Sequence, residues 1–121
     1  MQEYNEELLE LLGLQIGSIV RLERLKKKLS QTDLGLMIGT NNTTIGRIER
    51  YESDTSWRKL FQICQILEIE FNTLFNLLSL ESIIKIIADC VELEGKLTAE
   101  KKEYYKFLEK SIYNKYKKIK S

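Results

Sequence analysis

Ser30-Gln31-Thr32-Asp33-Leu34-Gly35-Leu36-Met37-Ile38-Gly39-Thr40-Asn41-Asn42-Thr43-Thr44-Ile45-Gly46-Arg47-Ile48-Glu49-Arg50 reads as two short helices bent around Gly39. The Ser30 hydroxyl can accept one of the N–H groups left without a partner at a helix start. Asp33 falls in the first turn, where the helix dipole favours an anion. Leu34, Met37 and Ile38 are expected on one apolar face of the first helix. Gly39 can take the left-handed conformation that ends a helix, and Asn41 can cap the next one. Ile45 and Ile48 are the only large apolar residues of that second helix, so its buried stripe is narrow. Its outer face is expected to carry Asn42, Thr43, Thr44, Gly46, Arg47 and Arg50. Two short helices, a glycine turn and an outer face of hydrogen-bonding side chains describe a helix-turn-helix.

Composition bounds what surrounds this unit. A chain of 121 residues, 43% hydrophobic, can bury one core of ordinary size. With no proline, six glycines and abundant Leu, Ile, Glu and Lys, the expected class is all-α. A net charge of +1 gives no global attraction for nucleic acid, so any basic surface must arise by segregating charge. No apolar run approaches the ~18–20 residues of a membrane span, and the acidic start does not resemble a signal peptide. A cytoplasmic protein without membrane contact is therefore expected. Cys64 and Cys90 sit in predicted helices with apolar neighbours and read as buried thiols. The chain has no histidine, which removes Ser-His-Asp and Cys-His pairs and imidazole metal sites. Gly13 and Gly17 have the wrong spacing for a phosphate-cradling loop. No catalytic residue, cofactor or metal is expected.

The rest of the chain supports and extends the motif. Glu3 to Glu10 carries four glutamates and no basic residue, with Leu8, Leu9, Leu11 and Leu12 forming an apolar side. It is read as a short helical extension running towards Gly13 that covers part of the core; a partner-binding arm is the alternative. A second helix is expected over Leu14 to Leu29, ending in Lys26-Lys27-Lys28, either a solvated helix end or a phosphate contact. Ser56 can cap a helix containing Trp57, Leu60, Phe61, Ile63, Cys64 and Leu67, with Trp57 partly buried. Arg58 and Lys59 in its first turn oppose the helix dipole unless an anion such as a DNA phosphate lies nearby. Asn72 is a candidate cap for a fifth short helix. Beyond Leu80, Ile83, Ile84, Ile87, Cys90 and Val91 form one helical stripe ending near Gly95. Thr98 can cap a last helix whose Tyr105, Leu108, Ile112, Tyr116 and Ile119 are spaced 3, 4, 4 and 3 apart, close to a heptad seam. This hairpin can fold back on the domain or pair with a second copy.

The segment from about Ile16 to Phe75 resembles the Cro/cI-type helix-turn-helix domain of the xenobiotic-response-element (XRE) family. The resemblance rests on Arg24, Leu29-Ser30-Gln31, Leu34, Ile38-Gly39, Thr44-Ile45, Ile48-Glu49, Ser56, Leu60, Ile63, Leu67 and Leu74-Phe75. It implies a five-helix, lambda-repressor-like domain whose recognition helix begins at Asn42 and lies in the major groove. By the same resemblance, Gln31 touches phosphate or braces that helix, and Asn42, Thr43 and Arg47 reach base edges with Thr44 beside them. Asn41, the cap of that helix, is grouped with these DNA-binding residues. Arg50, Arg58 and Lys59 would hold the sugar-phosphate backbone, and Arg24 with Glu49 would form a structural salt bridge. Four departures stand out. Gly35 replaces a usual alanine, Thr40 a small aliphatic residue, and Tyr51 and Thr55 a customary glycine and proline. Gly46 lies where a longer side chain is common.

The expected organisation is therefore an extension at 1–13, a DNA-binding domain at 14–79, and a C-terminal hairpin at 80–121 that dimerises or binds a partner. The expected function is sequence-specific binding of double-stranded DNA, as a repressor occupying a palindromic operator as a homodimer through residues 80–121. Two alternatives stand beside it: an antitoxin-like regulator holding a toxin with its C-terminal helices, and a helical adaptor without DNA binding.

Overall fold

The computed structural model describes residues 5–120, and every regular element among them is helical. In chain order these are α1 (Glu6–Lys26), α2 (Gln31–Met37), α3 (Asn42–Glu49), α4 (Trp57–Leu67), a 3-10 helix (Phe71–Phe75), α5 (Leu80–Leu93) and α6 (Ala99–Lys120). The chain is all-α.

Helix α1 does not break at Gly13, where the sequence suggested one helix ending and another beginning. Gly13 sits inside the helix because a Cβ there would lie 2.4 Å from the Tyr51 ring. The glycine serves a close approach and not a stop. The expected extension and the first domain helix are thus one 21-residue element, capped by the Asn5 side chain. The part of that extension at residues 1–4 lies outside the described residues.

Because α1 is long, it supplies residues to two cores. Val20 packs with Leu34, Ile45, Ile48, Leu60, Ile63, Cys64, Leu67 and Leu74 beneath the helix-turn-helix. Leu11 and Leu22 pack with Ile83, Ile87, Cys90, Tyr105, Leu108, Ile112 and Tyr116 of the C-terminal hairpin. The heptad-like seam of α6 is therefore buried against α1 and α5 of its own chain, not held open for a second copy. Cys64 and Cys90 are free thiols, one in each core. Burial pushes the Cys90 thiol up to about 12, so it stays protonated at neutral pH.

Buried Gln15 locks the passage between the two cores. Its amide donates to the carbonyls of Leu74 at 3.3 Å and Asn76 at 2.8 Å, and accepts from the Leu78 N–H at 2.9 Å. Three backbone groups in and just after the 3-10 helix are thus satisfied by one buried side chain. The fifth short helix is corrected to a 3-10 turn starting after Glu70, without a side-chain cap. Asn72 lies inside it, and it is the Thr73 hydroxyl that bonds back to the Glu70 carbonyl at 2.6 Å.

Two apolar expectations also change. Met37 is 53% exposed, because the buried arc of α2 runs through Leu34, Gly35 and half-buried Ile38, and Met37 falls about 60° outside it. Trp57 is 68% exposed, since the first residue of α4 points away from the core, and the Arg58 guanidinium lies over its ring at 5.6 Å.

Candidate nucleic-acid interface

The helix-turn-helix is built by local capping. The Ser30 side chain accepts from the Asp33 N–H at 2.9 Å, and the Asp33 carboxylate accepts from the Ser30 N–H at 2.9 Å. This reciprocal capping box starts α2 and holds the Asp33 carboxyl below its usual range. Gly39 closes α2 at φ +74°, a left-handed conformation that glycine adopts without strain. The Thr40 N–H then reaches back to the Gly35 carbonyl at 2.7 Å. Asn41 caps α3 by accepting from the Thr44 N–H at 2.9 Å, so its side-chain oxygen is already engaged.

With Ile45 and Ile48 buried beneath, α3 presents Asn42, Thr43 and Arg47 to solvent, and Thr44 is half-buried. No acidic residue occurs from Thr40 to Ile48. Gly46 is corrected from the outer face to a buried position. The Arg50 guanidinium covers it, 2.9 Å from where a Cβ would be, and the Gln31 side-chain oxygen lies at 3.4 Å. Arg50 itself is held by Glu52, donating to both carboxylate oxygens at 3.0 Å. That pairing raises the Arg50 pKa and lowers that of Glu52. Arg58 and Lys59 sit in the first turn of α4, started by Ser56, whose hydroxyl accepts from the Lys59 N–H at 3.2 Å. Of the basic run closing α1, Lys26 pairs with Glu23 at 3.1 Å and Lys27 with Glu68 at 2.9 Å.

Beneath this surface, Glu49 anchors the last turn of α3 with its side chain fully buried. Arg24 donates to both its oxygens, at 2.7 and 3.1 Å, and Gln31 donates to one of them at 3.1 Å. Gln31 thereby ties the start of α2 to the foot of α3. Arg24 also donates to the Leu29 carbonyl at 2.8 Å, tying the α1–α2 turn to the same group. Gly17 lets α1 approach: a Cβ there would lie 2.4 Å from the Glu49 carbonyl oxygen and 2.8 Å from that of Ile48. Gly17→Ala is therefore expected to lose about 1–3 kcal/mol by overpacking two backbones, despite a gain of ~1 kcal/mol in helix propensity. A urea midpoint unchanged by the substitution would contradict this close approach.

Residues 20–74 match the family model described as Helix-turn-helix. That span forms a helix-turn-helix domain of the XRE, Cro/cI type. That family is one of DNA-binding regulators. Comparison with curated proteins and with solved structures gave no match. Among the described residues, no helix is long and apolar enough to cross a membrane.

Two departures of this helix-turn-helix from the family pattern acquire reasons. Gly35 replaces alanine because a Cβ would stand 2.8 Å from the Asn41 carbonyl carbon, where the turn crosses α2. Tyr51 takes the place of a glycine and keeps the glycine-like backbone, at φ +53°. Its N–H closes α3 on the Ile48 carbonyl at 3.1 Å while its ring packs on Gly13.

Sequence reasoning missed Arg21. This residue is 7% exposed and its Nε lies 3.3 Å from the Glu49 carboxylate, close enough for charge attraction but not aligned for a hydrogen bond. Burial alone would lower its pKa, but the Glu49 charge and a hydrogen bond to the Tyr105 hydroxyl outweigh burial and raise it. A signal was present: Gly17, Arg21 and Arg24 are spaced 4 and 3 apart, on the helix face that meets α3.

Proposed function

We propose that the protein is a sequence-specific regulator that binds double-stranded DNA through α3 and acts as a repressor by occupying a palindromic operator as a homodimer. The observation that carries this reading is the pairing of an exposed, acid-free α3 face with a buried foot held by Arg24, Gln31 and Arg21. A helix that must present side chains to base edges needs its position fixed from below. In this reading Arg47 donates a bidentate pair to guanine, Asn42 does the same to adenine, and Thr43 and Thr44 contribute methyl or hydroxyl contacts. Asn41 keeps its side-chain amide N–H groups for the duplex while its oxygen caps the helix. Arg58 and Lys59 flank the phosphates, and Arg50 reaches them only by sharing its guanidinium with Glu52. Gln31 contributes by bracing.

The role assignments separate experimentally on a selected duplex. Arg47→Ala is expected to relax discrimination at one base position by about 1–3 kcal/mol. Lys59→Ala is expected to weaken all sequences alike and to reduce the salt slope by about 1. Reversed profiles would overturn the assignments. Trp57, the sole tryptophan, is exposed beside Arg58 and gives a fluorescence readout of both titrations.

Homodimerisation through residues 80–121 belongs to this proposal, because a palindrome is read by two recognition helices one helical turn, ~34 Å, apart. With the inner seam of α6 buried, the dimer would use the outer face of α6 around Phe107, which remains 70% exposed. Light scattering on the full chain and on Phe107→Glu tests this. A dimer that the substitution converts to monomer supports the outer face, and a dimer that persists unchanged rejects it. A wild-type monomer rejects the homodimer and leaves the hairpin face to a different protein, as in the antitoxin-like reading.

A further inference from the structure

The charges beneath α3 do not balance within the helix-turn-helix alone. Arg21 and Arg24, each 7% exposed, face one buried carboxylate, Glu49. Two guanidinium groups against one carboxylate leave an excess positive charge out of water, which proteins tolerate only when it is paired. The balancing charge comes from the hairpin. Glu94, between α5 and α6, has a side chain only 5% exposed, and its Oε2 lies 3.9 Å from Arg21 Nη1. The Tyr105 hydroxyl joins the two, accepting from Arg21 Nη1 at 3.3 Å and donating to Glu94 Oε2 at 2.6 Å. The Tyr104 ring covers the same guanidinium, 4.8 Å from its centroid. Lys101 binds the other Glu94 oxygen at 3.2 Å, but its side chain is 42% exposed and its charge is screened by solvent. Burial and the bond to Glu94 raise the Tyr105 pKa, which keeps the hydroxyl a donor.

We infer that the C-terminal hairpin positions the recognition helix: Glu94 and Tyr105 hold Arg21, and Arg21 shares Glu49 with Arg24, so that Arg21 and Glu94 are positioning residues for α3. Without the Glu94 charge, Arg21 is drawn further onto Glu49 and competes with Arg24 for it. The last turn of α3 then moves, although no group that faces the duplex has been altered. The effect on α3 follows from the buried charges alone, and its effect on duplex affinity rests on the DNA-binding reading.

The test compares wild type, Glu94→Gln, Tyr105→Phe, Arg21→Gln and the Arg21→Gln/Glu94→Gln pair as full chains. The backbone amide resonances of residues 42–50 are recorded without DNA, and duplex affinity is measured across a salt series. Glu94→Gln is expected to shift the amides of Ile48, Glu49 and Arg50 and to weaken selected-duplex binding about tenfold. The salt slope should not change, because no phosphate contact is lost. Tyr105→Phe, which keeps the ring, should move the same amides less. In the double variant, the Glu94→Gln effect should largely disappear, because the excess charge has gone. Amides of residues 42–50 that stay in place in Glu94→Gln would overturn the inference, as would single effects that simply add. Coupled amide shifts in a protein that binds no duplex would uphold the positioning and reject the DNA-binding reading instead.

Discussion

Glu49→Ala is expected to lower unfolding free energy by about 3–5 kcal/mol, read as a shift of the urea midpoint at unchanged slope. The carboxylate is fully buried and takes three hydrogen bonds, two from Arg24 and one from Gln31, with Arg21 beside it. Truncation strands two guanidinium groups in a compartment from which water is largely excluded, and the remaining anion there, Glu94, is 3.9 Å from Arg21 alone. Glu49→Gln keeps the shape and the capacity to accept but removes the charge, so a smaller loss is expected. A loss under about 1 kcal/mol for Glu49→Ala would mean that both arginines reach water by small side-chain movements, contrary to a closed site.

Ile112→Ala is expected to lose about 2–5 kcal/mol and to shift the whole unfolding transition. Ile112 is 0% exposed and lies in the core shared by α1, α5 and α6. Because α1 also supplies Val20, Gly17, Arg21 and Arg24 to the helix-turn-helix, loosening the hairpin removes support from the helix on which α3 rests. Far-ultraviolet circular dichroism and Trp57 fluorescence should therefore report one coincident transition in the variant, since the tryptophan lies on α4 and not on the hairpin. Two separated transitions, with the Trp57 signal unmoved, would show the hairpin to be an independent appendage.

The helix-turn-helix was legible in the sequence because its signals are local. Ser30 with Asp33, Gly39 and Asn41 act within three or four residues, so capping chemistry and a single glycine mark α2, the turn and α3 without tertiary information. The all-helical class followed from composition in the same way. Long-range relations were not legible. Arg21 and Tyr105 are 84 positions apart, and Gln15 meets the Asn76 carbonyl 61 positions away, so nothing in either neighbourhood announces the partner. Gly13 was read as a break, because glycine at a helix end and glycine under an aromatic ring look alike until Tyr51 is placed. Gly46 was assigned to the outer face by helical spacing, but its covering group is the flexible side chain of Arg50, which periodicity does not place. The α6 seam was correctly apolar, yet a seam does not say whether it closes on its own chain or on another. The Arg24–Glu49 pair came from the resemblance; the second arginine, which makes that pair part of a larger charged network, did not.

The central claim is that the outer face of α3 reads a defined sequence in double-stranded DNA. Selection of duplexes from a random pool by the full chain, followed by titration of the enriched site and a scrambled one across a salt series, tests it most directly. The expected result is an enriched palindrome bound more tightly than the scrambled duplex, with log affinity falling linearly with log salt concentration. A pool from which no sequence is enriched, with wild-type protein folded by circular dichroism, would contradict the claim.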